Sequence, residues 1–220
     1  MRQQRPRGTT TREAVVNAAL DVVDRVGVDA LTIRAVASAV GAPPMSLYTH
    51  FANKEELLDL MYAEMARRLY ADPGYDVWQT QLLALASQIR RTLLDHPRWA
   101  VLLARPAPSI SVAMRERVLK MMTDAGMSPG DALRAFSAIV MVAIGLAFVD
   151  LTFQEPDGSS SFSRRFEHAR RWSEDAEQAQ PTTRKAFAAA QRFDMGETFE
   201  LSLRKLIAGF ELAQVAKSAG

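Results

Sequence analysis

Apolar residues in the first third of the chain recur at three- and four-residue steps, and glycine, proline or a capping residue interrupts them at short intervals. Val15, Ala18, Ala19, Val22, Val23 and Val26 fall on one face of a helix from Thr11 to Val26, and Gly27 stands where a C-terminal cap belongs. Thr32 is a good N-cap for a compact second helix, Ile33 to Val40, which Gly41 stops. Pro43 and Pro44 fit only the cap and first turn of a third helix, because proline lacks the N–H that an interior position needs. Met45 to Phe51 carries that helix onward. Asn53 caps a fourth helix, which starts Lys54-Glu55-Glu56 and continues through Leu57, Leu58, Met61, Met65 and Leu69. Asp72-Pro73-Gly74 breaks the pattern and marks a domain boundary.

Beyond the break the periodicity predicts a helix from about Asp76 to Asp95, a short piece after Pro97, and a helix from about Ser109 to Ala125 following Pro106 and Pro108. A long, apolar helix from Pro129 to about Phe153 comes next, and a final amphipathic helix runs from about Met195 to Ala216. The stretch from Gln154 to Gln180 is polar and opens on Glu155-Pro156-Asp157-Gly158-Ser159, so it reads as a mobile connection with one helical segment. Strand signals are almost absent and no repeat is visible. The expected fold is all-α, with an N-terminal three-helix domain at residues 9–69 and a larger helical domain at 75–217.

With 220 residues, 48% of them apolar, the chain can bury a substantial core. It has no cysteine, which excludes disulfides, thiolate zinc sites and cysteine nucleophiles and leaves a reducing cytoplasm as the expected compartment. The most apolar run, Ala138 to Val149, is too short to span a bilayer, so a soluble protein with no membrane partner is expected. A formal net charge of +2 says little about partners, but its distribution says more. Arg2, Arg5, Arg7 and Arg12 precede the first acid, Glu13. That crowding, mostly within a basic arm at residues 1–8, suits a flexible segment that touches phosphate or a minor groove, and equally a solvated tail. There is no phosphate-binding loop, no G-x-S-x-G and no H-E-x-x-H, and the three histidines, at 50, 96 and 168, are not at ligand spacing. Neither an enzyme nor a metal or cofactor protein is expected.

The second and third helices, joined through Val40-Gly41-Ala42, have the form of a helix-turn-helix spanning about residues 32–51. Ile33, Val36, Ala37, Val40, Leu47 and Phe51 would pack the pair onto the first helix and leave the outer face of the third free to enter a major groove. On that face Ser46, Tyr48, Thr49 and His50 carry donors and acceptors, and Pro44 and Met45 offer apolar contact suited to a thymine methyl. Lys54 and the N-termini of the second and fourth helices would lie beside phosphates. The run from Leu31 to Ala37, then Gly41, Leu47-Tyr48-Thr49-His50-Phe51 and Asn53-Lys54-Glu55-Glu56-Leu57-Leu58, resembles the signature of the tetracycline-repressor (TetR) family. The resemblance implies that Thr32, Lys54, Tyr48 and His50 contact phosphate and that Pro44, Met45, Ser46 and Thr49 read bases. Many family members have Ser or Thr where this chain has Pro43, so the helix that reads the groove must be capped differently here.

The C-terminal half resembles the regulatory domain of the same family through Leu93-Leu94-Asp95-His96-Pro97, the corner Asp124 to Pro129, and the closing Phe199 to Glu211. That implies ligand binding and dimerisation: a homodimer on double-stranded operator DNA, released by a small-molecule effector of unknown, largely apolar character. In such relatives the helices matching Pro129–Phe153 and the closing helix form a four-helix bundle with their symmetry mates. Ile139, Val142, Ala143, Leu146 and Val149 make an apolar stripe that fits such an interface and is too rich for a monomer's surface, as do Leu203, Leu206, Ile207 and Phe210; a buried core helix is the alternative that explains the stripe without a dimer. Trp99, Leu102, Leu103, Met114, Val118, Met121, Met122, Phe136, Met141 and Phe148 can line an apolar ligand cavity or simply pack. In tetracycline-binding relatives a histidine that helps hold the ligand's magnesium aligns with Leu102, so a metal-chelated tetracycline is not expected. The alternative within this frame is a dimeric helix-turn-helix protein without a small-molecule ligand, constitutive or controlled by a protein partner.

Overall fold

A computed structural model describes residues 10–104, 112–153, 161–175, 181–189 and 194–218. The basic arm, Pro106 and Pro108, and the segments 154–160 and 176–180 of the polar stretch lie outside the described residues. Every regular element among those described is helical. The chain forms two compact units that do not follow sequence order: Met1–Ala71 joins Asp95–Val112, and Asp72–Leu94 joins Ala113–Gly220.

The first unit contains α1 (Arg12–Val26), α2 (Ile33–Val40), α3 (Pro44–Leu47), α4 (Lys54–Leu69) and a 3-10 helix (Pro97–Ala104). Each longer helix starts on a side-chain cap. Thr11, Thr32 and Asn53 accept the N–H of Ala14, Ala35 and Glu56 at 3.2, 3.1 and 3.0 Å, and Glu56 reaches back to the N–H of Ala52 at 2.6 Å. α2 ends on Gly41, whose φ of 75° closes a left-handed cap in which the N–H groups of Gly41 and Ala42 both bond to the carbonyl of Ala37. That cap provides the sharp turn into α3. α1 packs against α2, α4 and the 3-10 helix, and α2 against α3. The shared core holds Val15, Ala19, Leu20, Leu31, Val36, Leu47, Leu57, Met61 and Met65.

The 3-10 helix comes from beyond the predicted domain boundary yet seals this unit. Trp99, fully buried, stacks on His96 with centroids 3.8 Å apart and planes 6° from parallel, and the Arg68 guanidinium lies 5.2 Å from its centroid. His96 Nδ1 sits 2.8 Å from Asp24 Oδ2, and Arg98 donates to the terminal carbonyls of α1, those of Asp24 and Arg25. Cationic donors at a helix C-terminus satisfy carbonyls that have no partner within the helix.

The second unit contains α5 (Trp78–Asp95), α6 (Val112–Asp124), α7 (Pro129–Phe153), α8 (Ser161–Asp175), α9 (Pro181–Ala189) and α10 (Met195–Ser218). The polar stretch carries the whole of α8, the one helical segment expected there, and α9 begins directly after it at Pro181. α7 packs along α10, and α8 against α9 and α7. The core takes Leu82, Leu85 and Ile89 from α5, Val118 and Met122 from α6, Ala135, Ile139 and Ala143 from α7, and Phe199 and Leu203 from α10. Two polar devices tie it together. Arg90 holds the buried Asp150 at 2.6 Å and lies 5.3 Å from the Phe199 centroid. Gln81, fully buried, donates to Asp72 Oδ1 at 2.6 Å and accepts the N–H of Tyr75 at 2.8 Å, while Arg117 pairs with Asp72 Oδ2 at 2.8 Å. The turn after the break at Asp72 is thereby satisfied by hydrogen bonds.

α7 corrects the estimate of its apolar length. As a continuous helix of 25 residues, it is long and apolar enough to cross a bilayer. Ala132, Leu133, Ala135, Phe136, Leu151 and Phe153 extend the apolar character beyond the run from Ala138 to Val149. Here one face is used as a core helix is used, packed on α10 and closed by the Arg90–Asp150 pair.

Candidate nucleic-acid interface

Pro43 is the N-cap of α3 with extended backbone, φ −64° and ψ 141°, and it makes no side-chain cap; Pro44 occupies the first turn. The departure at Pro43 thus leaves the helix in place. Its compensation is local: Ser46 Oγ donates to the carbonyl of Pro43 at 2.7 Å, and Thr49 Oγ1 donates to the carbonyl of Ser46 at 2.7 Å. α3 is shorter than Met45 to Phe51, because after Leu47 the chain passes through turns at Tyr48, Thr49 and His50. Leu47 and Phe51 are buried and anchor this segment; Pro43, Pro44, Met45, Ser46 and Thr49 are exposed, Met45 to 76%. The ring of Tyr48 leans on Phe51 with centroids 5.8 Å apart while the residue stays 45% exposed, and His50 is half-buried.

The residues flanking α3 carry the free donors. Thr32 is exposed and uses an oxygen lone pair for the Ala35 N–H, which leaves its hydroxyl proton available to a phosphate. Asn53 accepts through Oδ1 and keeps its amide protons, and Lys54 is exposed at the start of α4. Thr32, the exposed face of α3 and Lys54 belong to one rigid, capped unit, the property a recognition surface needs.

The second unit sorts the remaining candidates differently from the sequence. Ile139, Ala143, Leu203 and Ile207 are buried inside the unit, Ile139 fully, so they form its own core and not an outer dimer face. Val142, Leu146, Leu206 and Phe210 are half-buried. Met141 and Phe148 move the other way. At 66% and 41% exposure they stand on the outer side of α7 with Gly145 and Val149, and they do not line an internal cavity. Met114, Val118, Met122 and Phe136 are buried in the second unit and Met121 is half-buried there; Trp99 and Leu102, buried, and Leu103, half-buried, belong to the first. Among the described residues no group of three His, Asp or Glu side chains is placed to hold a metal ion.

Sequence reasoning missed the cluster of Asp24, Arg68, His96, Arg98 and Trp99. Arg98 and Asp24 lie 74 residues apart, beyond any local periodicity; the sequence drew attention to His96-Pro97 and to Trp99, but not to their partners on α1 and α4.

A short, solvent-facing helix held on a capped three-helix core is the arrangement of a helix-turn-helix transcription regulator. The model of the tetR family of bacterial regulatory proteins matches residues 15–61, and that of the tetracyclin repressor-like C-terminal domain matches residues 70–213. The chain belongs to the TetR family of DNA-binding transcription regulators. A transcriptional regulator from Saccharopolyspora erythraea is 31% identical over 176 residues, 77% of this chain and 73% of the relative. The class D tetracycline repressor of Escherichia coli is 30% identical over 209 residues, covering 93% of this chain and 91% of the repressor. In fold, the chain is similar to the Streptomyces coelicolor TetR family protein ActR in complex with actinorhodin. That match has a TM-score of 0.73 and 22% identity, and covers 94% of this chain and 99% of ActR.

Proposed function

We propose that this regulator is a homodimeric repressor, and not an enzyme, that holds a pseudo-palindromic operator through two copies of α3 and releases it when a small, largely apolar molecule binds the second unit. The observation that carries the proposal is the division of labour around α3. Its tip is exposed and apolar, and the donors suited to phosphate stand beside it on Thr32, Asn53 and Lys54. Two such surfaces about one turn of B-DNA apart would fix the half-site spacing. The outer side of α7, where the exposed Met141, Gly145, Phe148 and Val149 follow one another at helical spacing, supports a dimer, since apolar side chains in such a row are ones a second copy could cover. The relative named as a repressor and the relative crystallised with actinorhodin support repression and a small-molecule effector. Effector binding would change the separation of the two α3 helices through α4, and DNA would weaken effector binding by the same factor, a coupling of about 1–3 kcal/mol. The protein would act in the cytoplasm without a metal or cofactor.

Selection of bound duplexes from a random pool, at near-physiological salt, tests the proposal. Enrichment of a two-fold palindrome is expected, with weak binding by the Tyr48→Ala, Lys54→Ala variant and a salt slope reduced by about one for Lys54→Ala alone. Unchanged affinity in the double variant would remove α3 and Lys54 from the interface. Sedimentation of the wild type as a monomer at micromolar concentration would remove the dimer.

A further inference from the structure

The hydroxyl donors of Ser46, on α3, and Thr49, just after it, are committed to the local backbone. Ser46 Oγ and Thr49 Oγ1 each donate, at 2.7 Å, to a carbonyl three residues earlier. A hydroxyl has one proton and two lone pairs, so outward both side chains present acceptors only. The main chain adds little. Pro43 and Pro44 have no N–H, and the N–H groups of Ser46, Thr49 and His50 bond to the carbonyls of Pro43, Ser46 and Leu47. From Pro43 to His50 there is no Arg, Lys, Asn or Gln, the side chains that engage a purine through two hydrogen bonds. At the tip stand Pro44 and the thioether of Met45, 76% exposed.

Base pairs differ sharply toward such a surface. A guanine edge presents two acceptors, N7 and O6, which at Ser46 and Thr49 face the lone pairs of the two hydroxyl oxygens; the remaining side-chain donors of the segment, the Tyr48 hydroxyl and the His50 ring, are the ones the family resemblance assigns to phosphate. An A·T pair presents the adenine amino donor and the thymine methyl, which match an acceptor and an apolar tip. Taking α3 as the recognition element of the proposed function, we infer that Met45, Ser46 and Thr49 select A·T pairs. Met45 covers a thymine methyl, Ser46 and Thr49 accept adenine amino protons, and no guanine is read beneath α3.

The inference is tested on the full chain with the selected palindrome. The pairs under α3 are those at which Met45→Ala or Ser46→Ala alters base preference. These pairs are expected to be A·T, and uracil in place of thymine at the Met45 pair should weaken wild-type binding about fourfold, the loss of one buried methyl, while leaving Met45→Ala unaffected. Purine in place of adenine, which removes only the amino group, should weaken the wild type and not Ser46→Ala at the Ser46 pair. The modified duplexes act on unaltered protein, so a poorly folded variant cannot mimic the result. Finding G·C at the pairs that answer to Met45 or Ser46, with 7-deazaguanine weakening wild-type binding there, would overturn the inference while leaving the DNA-binding reading intact. Failure to enrich any palindrome would instead overturn that reading, and this inference with it.

Discussion

Trp99→Ala removes the largest fully buried side chain of the first unit and, with it, the ring that His96 stacks on and Arg68 covers. Truncation of a buried tryptophan costs about 3–5 kcal/mol, because the lost contacts are joined by a cavity that neighbours refill only in part. Loss of the stacked pair and the cation contact places this site at the upper end, about 4–5 kcal/mol. For a chain of this size that corresponds to a fall in Tm of roughly 8–20 °C. Guanidinium unfolding followed by helical circular dichroism measures it, at one fixed protein concentration because the stability of a dimer depends on concentration. Arg98→Ala is the control. It removes the hydrogen bonds to the carbonyls of Asp24 and Arg25 from an exposed position and should cost about 1 kcal/mol or less. A cost below about 1.5 kcal/mol for Trp99→Ala, or equal costs for the two variants, would refute the reasoning that the ring, and not the polar fringe, holds the 3-10 helix in place.

Thr32→Ala should lose about 1 kcal/mol in thermal melts and also weaken operator binding, whereas Thr32→Ser should keep most of both, since the cap to Ala35 survives. Nothing lies within 4 Å of a Cβ added at Gly41, so the cost of Gly41→Ala, about 1–2 kcal/mol in melts, arises only from the φ of 75°, and Gly41→Asn should cost less. Asp150→Ala should cost about 3 kcal/mol by leaving Arg90 partly buried and unpaired, and adding Arg90→Met should recover most of it; equal instability of the double variant would count against that account. Below about pH 4 stability should fall. The Glu64 carboxyl is held below its ordinary value by its hydrogen bond to Arg67 first and by Arg68; for Asp72, burial pushes upward but the Gly74 N–H, Gln81 and Arg117 outweigh it. A carboxyl with a depressed folded pKa stabilises above its unfolded pKa and loses that contribution as pH falls through the folded one, so Glu64→Gln and Asp72→Asn should flatten the acid limb. In the alkaline range burial, with help from Tyr62, pushes Tyr70 up to about 12 from 10.0. Stability should therefore drop between these values in the wild type, and less so in Tyr70→Phe.

The sequence exposed those parts of the molecule that local chemistry decides. Thr32 and Gly41 bracket α2 in the structure as they do in the pattern of caps, and the limits of α7 fall at Pro129 and Phe153 as the periodicity predicts. The exposed residues of α3 were legible for the same reason: a buried Leu47 and Phe51 dictate which neighbours face out. Two things were not legible. Which side of α7 meets α10 depends on a partner helix more than forty residues away, so the stripe containing Ile139 and Ala143 could not be told from the stripe containing Met141 and Phe148 by period alone. The direction of a hydroxyl proton was also invisible, since serine and threonine are donors and acceptors alike until a carbonyl comes within 2.7 Å.

The return of residues 95–112 to the first unit changes what counts as a transplantable head. A chimera cut once at Ala71 would carry α3 but abandon Trp99, His96 and Arg98, and would expose to water the side of α1 and α4 that they cover. The unit that a designer would move, or that recombination would have to preserve, is two pieces of chain with α5 threaded between them. On the function proposed above, a graft of the exposed residues of α3 would disturb this packing far less than an exchange of heads.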